Sequence, residues 1–349
     1  MDDLRLNLLI DLNTSSHTCI GEGFNMNINP SLCCYYSTYV LEKHMSNSFK
    51  TIECIVVKWF SKLWGEHMQG WLTNTHYDAT MQIIQIVCNA CKACKARFVF
   101  ICSDEIEEEY KCFVSLLNIK IVIIPTDQYG EIDYNIMSIM ISLYCNSKMF
   151  IFLNIGSNKG AIDDVDKVYE ILKSLKLNRE QYFIHCEAPM FGMMLGLSTY
   201  FINRPFINSI SCAPHMFLGI NVPCGIACIC YETCETCNIF RTPLNGHIPL
   251  AIWERIMEKN IDVLSEEARQ CLLNTKLCCE MLKIVHIPHY NSTNSNIIVL
   301  HLKDEYISLA KKWRLCKISD DNYKITIMQH VNIDVIDRLY ADIMSLNIL

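Results

Sequence analysis

The residues in the middle of this chain that could do chemistry are two histidines and a glutamate, and no amine accompanies them. His185-Cys186-Glu187-Ala188 sets a carboxylate two residues after an imidazole, and His215 sits in SISCAPHMFLG, residues 209–219. No lysine occurs between Lys176 and Lys259. A lysine amine can condense with an aldehyde to form an imine, but Met216 offers only a thioether, a weak acceptor that cannot. Upstream, Ser103-Asp104-Glu105-Ile106-Glu107-Glu108-Glu109 is rich in carboxylates. The turn Thr73-Asn74-Thr75-His76-Tyr77-Asp78-Ala79-Thr80 lacks the glycines that let backbone N–H groups close around a phosphate.

Five segments carry a family resemblance: NIGSNKGAIDD (154–164), YFIHCEAPMFG (182–192), SISCAPHMFLG, VPCG (222–225) and LNGHIPLAIW (244–253). In this order they resemble the core of the group II pyridoxal-phosphate (PLP) decarboxylases, nearest the plant serine decarboxylase and histidine decarboxylase-like branch. The resemblance covers roughly residues 45 to 349. It implies a fold-type I α/β architecture, PLP as cofactor, a small amino acid as ligand and a dimer with active sites at its interface.

The same resemblance marks departures. The family's Schiff-base lysine falls at Met216, so no catalytic anchor is intact and any PLP would be held without a covalent bond. Glu187 stands where an aspartate faces the pyridine nitrogen. Glu107 replaces the histidine that stacks on the ring. Asn74, His76 and Tyr77 fall in the phosphate turn, and Ala213 and Pro214 replace Ser and Gly before His215. Leu244 takes an arginine's place after a shortened connection. These changes imply a decarboxylase-like protein that is catalytically impaired or inactive. The alternatives are residual carboxy-lyase activity on serine or histidine, or a non-catalytic partner subunit in a homodimer or a heterodimer with an active relative.

Hydrophobic periodicity predicts the elements that position these residues. An amphipathic helix over 49–63 and a second over 79–95 precede alternating strands and helices: strands at 98–102, 119–124 and 149–154, helices at 111–117, 134–144 and 165–175. Short apolar strands separated by helices signal a mainly parallel sheet covered on both faces. Asp163-Asp164 reads as a helix start, and Glu105 to Glu109 as a solvated acidic one. Beyond about residue 250 the pattern becomes helix 266–283, strand 296–302, helix 304–316, strand 323–328 and helix 334–346. The expected division is an N-terminal segment (1–45, shorter than in the family, where it contacts the partner subunit), a large PLP-type domain (46–250) and a small α+β C-terminal domain (251–349).

Composition narrows the classes. With 349 residues, 51% hydrophobic and 19% charged, the chain can bury a large core. A net charge of −7 without a basic block argues against nucleic acid. The uncharged run 205–231 is interrupted by Pro214, Gly219, Pro223 and Gly225, so it reads as core and not as a membrane span. The 21 cysteines and an N-terminus without a signal-peptide pattern point to a reducing, cytoplasmic setting. Cys88, Cys91 and Cys94 share a helix face, and Cys228 and Cys230 read as strand residues, so packing is favoured over a zinc knuckle with Cys234 and Cys237; no metal site is expected. Met190, Met193 and Met194 read as packing, and His286 and His289 as loop residues without a role.

Overall fold

The computed structural model describes residues 47–93, 95–230, 244–302, 306–319 and 321–347. The N-terminal segment, Cys94, the shortened connection with Cys234 and Cys237, and Asp304 lie outside the described residues.

The large sheet has seven strands: β1 (Met68–Thr73), β2 (Phe98–Ser103), β3 (Lys120–Ile124), β4 (Lys148–Asn154), β5 (Tyr182–Glu187), β6 (Ser209–Cys212) and β7 (Gly225–Cys230). Their order is β1-β7-β6-β5-β4-β2-β3, with β2 to β6 parallel and β7 antiparallel to both β1 and β6. The large sheet's helices are α1 (Asn47–Trp64), α2 (His76–Ala93), α3 (Glu108–Leu116), α4 (Tyr134–Leu143), α5 (Val165–Ser174), α6 (Phe191–Leu197), α7 (Pro214–Leu218) and α8 (His247–Glu258).

Strand alternation splits the core in two. On β4, Met149, Ile151 and Leu153 join the cluster that includes Ile52, Val56 and Phe60 of α1, whereas Phe150 and Phe152 join the cluster under α2 and α3. Successive side chains on a strand point to opposite faces, so a strand buried on both sides must be apolar throughout. Phe100, Phe150 and Phe183 stack across β2, β4 and β5, with centroids 5.1 and 5.3 Å apart. Cys228 and Cys230 are buried β7 residues, Cys88 and Cys91 are buried on α2, and Met190, Met193 and Met194 are buried around α6.

A second sheet, β10-β11-β9-β8, is antiparallel and is formed by β8 (His289–Asn291), β9 (Ile297–His301), β10 (Cys316–Lys317) and β11 (Asn322–Thr326). It packs with α9 (Ile261–Ile284), α10 (Ile307–Lys312) and α11 (Ile333–Asn347) over its own apolar cluster. Three expectations need correction here. The helix expected from 266 begins at Ile261, because Asn260 caps it by accepting from Val263 N–H. The helix expected to reach Cys316 ends at Lys312; Arg314 turns into the left-handed region (φ 49°) and Cys316 pairs as strand. His289 opens a strand and is not a loop residue.

Two aspartates fix the turns that deliver β4. Asp164 caps α5 by accepting from Asp166 and Lys167 N–H, as expected. Asp163 is buried and accepts from Asn154 N–H at 2.8 Å and Ile132 N–H at 3.1 Å, tying the strand end to the loop before α4. Burial pushes its carboxyl up from 3.8 to about 7, against the two backbone donors. A raised folded pKa means a stabilising contribution complete below about 3.8 and lost as pH rises through about 7. The unfolding free energy of the wild type should therefore fall relative to Asp163→Asn across that window, by roughly 1 kcal/mol per pH unit. Denaturant melts at several pH values check this; a constant difference would contradict it.

Candidate active site

The C-terminal edge of the parallel strands carries a row of polar side chains, the place where open α/β sheets bind ligands. Asn154 lies opposite Glu187, and Glu187 opposite Ser211. Asn154 Nδ2 donates to Ser103 Oγ at 2.9 Å. Gly156, just past β4, has φ +102°, and a Cβ there would meet the Phe191 ring at 2.0 Å, so only glycine lets this turn lie against α6.

Glu187 is the centre of the row, 5% exposed. Tyr110 OH donates to its Oε1 at 2.7 Å. Its Oε2 accepts from Ser211 Oγ at 2.5 Å and from Thr80 Oγ1. His185 Nε2 lies 3.4 Å from the same oxygen, and Ser209 Oγ sits 2.8 Å from His185 Nδ1. Burial alone would raise the Glu187 carboxyl, but the hydrogen bond to His185, the charges of His185 and His76 and the Ser211 hydroxyl hold it below the ordinary glutamate range.

Beside it lies a cavity of about 460 Å³. Its lining includes five carboxylates (Asp104, Glu105, Glu107, Glu109 and Glu187) with Tyr77 and Tyr110, and among the described residues it includes no lysine, arginine or histidine. Two amines reach its lining residues: Lys159 Nζ pairs with Glu105 at 2.7 Å, and Lys324 Nζ donates to Asn158 Oδ1 at 2.6 Å. Glu107 takes the position before α3 and makes no side-chain cap. Burial, and then Glu107 beside its hydroxyl, push the Tyr77 phenol well above its usual range.

The structure thus brings Tyr77, Glu107 and Glu187 to one cavity, and the solvated acidic helix start proves to be one of its walls. His76 lies in the first turn of α2, with its ring 4.0 Å from that of Tyr77, and its charge bears on both Glu187 and His215. His215 accepts from Cys224 N–H at 3.2 Å through Nδ1; burial lowers its pKa. Asn74 is turned to the loop before α8, where its Oδ1 accepts from Asn245 N–H at 2.8 Å. Met216 lies on α7, 44% exposed, outside the cavity lining. Thr80, Tyr110, Ser209 and Ser211 were not foreseen as site residues. Period-two alternation was the available signal: 185 and 187 on β5 share a face with 209 and 211 on β6.

Pyridoxal phosphate, which the resemblance implies, needs an amine, an anion cradle and a free carboxylate. The residues present do not fit it. Both Glu187 oxygens are already engaged, and the wall is acidic. At the N-terminus of α2, Thr75 Oγ1 already accepts from Asp78 N–H, and Asp78 places a negative charge in the first turn. A Cβ on Gly225 would lie 2.3 Å from Thr75 O, so β7 packs directly on that turn.

Among the described residues no helix is long and apolar enough to cross a membrane, and no cluster of three His, Cys, Asp or Glu is placed to hold a metal ion. No protein-family model matches the chain. It is 27% identical over 254 residues to a histidine decarboxylase of Morganella morganii, covering 66% of this chain and 65% of that protein. Serine decarboxylase 2 of Oryza sativa subsp. japonica is 26% identical over 285 residues, covering 76% and 60%. A histidine decarboxylase of Acinetobacter baumannii (strain ACICU) is 26% identical over 330 residues, covering 88% and 82%. The chain thus spans less than two thirds of the first two relatives. Among solved structures, L-methionine decarboxylase of Streptomyces sp. 590 superposes with a TM-score of 0.72 at 14% identity, covering 87% of this chain and 85% of its own. Tryptophan decarboxylase of Catharanthus roseus gives 0.72 at 15%, covering 86% and 76%. The motifs, the mainly parallel sheet and these relatives agree: the chain is similar to the group II pyridoxal-phosphate-dependent decarboxylases in sequence and shares the fold of the decarboxylases it superposes on.

Proposed function

We propose that this chain is an amino-acid decarboxylase-like protein that has lost its family's covalent cofactor chemistry and turns over amino acids poorly or not at all. The observation that carries this reading is Met216 in the position of the anchoring lysine. A thioether cannot form an imine, and two lysines that reach the cavity wall are engaged, Lys159 by Glu105 and Lys324 by Asn158. Glu107 and Glu187 compound the loss: Glu107 presents a carboxylate where the resembled family has a ring-stacking histidine, and Glu187 carries its carboxylate on a side chain one methylene longer than the family's aspartate. The same reading places the protein in the cytoplasm, as a homodimer or paired with an active relative whose pocket it would help shape; co-expression with such a relative and a search for mixed dimers tests that pairing.

Two measurements test the chemistry. Peptide mapping after incubation with one equivalent of PLP and borohydride should find no stoichiometric adduct on a lysine at the cavity wall, Lys159 or Lys324; such an adduct would contradict the reading. Met216→Lys should leave CO₂ release from histidine or serine at least roughly 100-fold below an intact relative, since misplacement by about an ångström already costs that much. Labelled histidine or serine given to the wild type with PLP should release CO₂ only at the free-cofactor rate. Release above that rate would favour a residual carboxy-lyase instead.

A further inference from the structure

Resting on that reading and going beyond the missing amine, we infer that the cavity beside Glu187 does not admit pyridoxal phosphate even noncovalently, and that Glu187 acts as a keystone of this chain's own sheet. The geometry supports both parts. One carboxylate joins four elements: β5 through its own backbone, α2 through Thr80, α3 through Tyr110 and β6 through Ser211. Thr80 and Ser211 also touch each other at 2.7 Å. Thr80 and Tyr110 lie 107 and 77 residues away along the sequence, so the cluster closes the fold over long range. A pyridine nitrogen seeking this carboxylate would have to displace a hydroxyl that is itself buried.

The phosphate meets a second obstacle. A dianion entering the cavity faces Asp104, Glu105, Glu107 and Glu109. In a cleft with low-dielectric walls, like charges focus and repel an anion far more than they would in open water. The helix N-termini of α2 and α3 at this edge are already complemented, α2 by Asp78 and the Thr75 cap and α3 by Glu108 and Glu109 in its first turn. Charge and hydrogen-bond geometry therefore act in the same direction.

The full-length protein can be titrated separately with PLP, pyridoxal and inorganic phosphate, following melting temperature and heat of binding. Expected is no saturable heat and no rise in melting temperature with any of the three, since a ligand that bound the native state would raise it. A saturable response to PLP would overturn the exclusion. If that response comes without adduct or CO₂ release, this inference falls while the functional reading stands; if CO₂ is released, both fall. For the keystone, Glu187→Asp, too short to reach all its donors, should lower the melting temperature by roughly 5 °C or more, without creating PLP binding. Thr80→Val and Tyr110→Phe should each lower it less, and Thr80→Val combined with Glu187→Asp should fall short of the sum, because the two share one interaction. Strict additivity, or an unchanged melting temperature in Thr80→Val, would overturn the keystone role even if Glu187→Asp failed to fold.

Discussion

A charged carboxylate withdrawn from water must be satisfied by its surroundings or it costs several kcal/mol. That constraint organises the C-terminal edge of the large sheet. Glu187 meets it with three hydroxyls and an imidazole drawn from four separate elements, and strand register, helix placement and the polar row from Ser103 to Ser211 are mutually consistent only when those donors converge. A glutamate has one more methylene than the aspartate of the resembled motif. The added reach brings its oxygens to Thr80 and Tyr110 and gives the carboxylate partners within its own chain.

Most of the scaffold was legible in the sequence because strand and helix periods differ. Ile52, Val56 and Phe60 recur every four residues and all are buried in α1. The buried run of β4 read as a doubly covered strand and is one. What escaped was set by contacts distant in sequence. The antiparallel course of β7 depends on β1, some 160 residues earlier by the register Met68 to Cys230. Helix ends slipped where a cap such as Asn260 or a left-handed residue such as Arg314 decided the boundary.

The site divides along the same line. Residues carried by motifs, Tyr77, Glu107 and Glu187, came together at one cavity, whereas Asn74 proved to serve the loop before α8 and Met216 lies off the cavity lining. Thr80 closes the quoted 73–80 turn without a role assigned to it and Tyr110 belongs to no quoted motif, and an isolated hydroxyl in a helix carries no local sign of a partner on a distant strand. Scaffold and site thus separate: the sheet and its helix caps are formed, while Met216 lies off the cavity lining and both Glu187 oxygens are engaged by hydroxyls of this chain.

The most direct check is a crystal structure of the protein grown in excess pyridoxal phosphate. The account predicts Glu187 held by Thr80, Ser211 and Tyr110, with no ring beside it. A ring nitrogen within hydrogen-bond distance of that carboxylate, with those hydroxyls turned away, would contradict it.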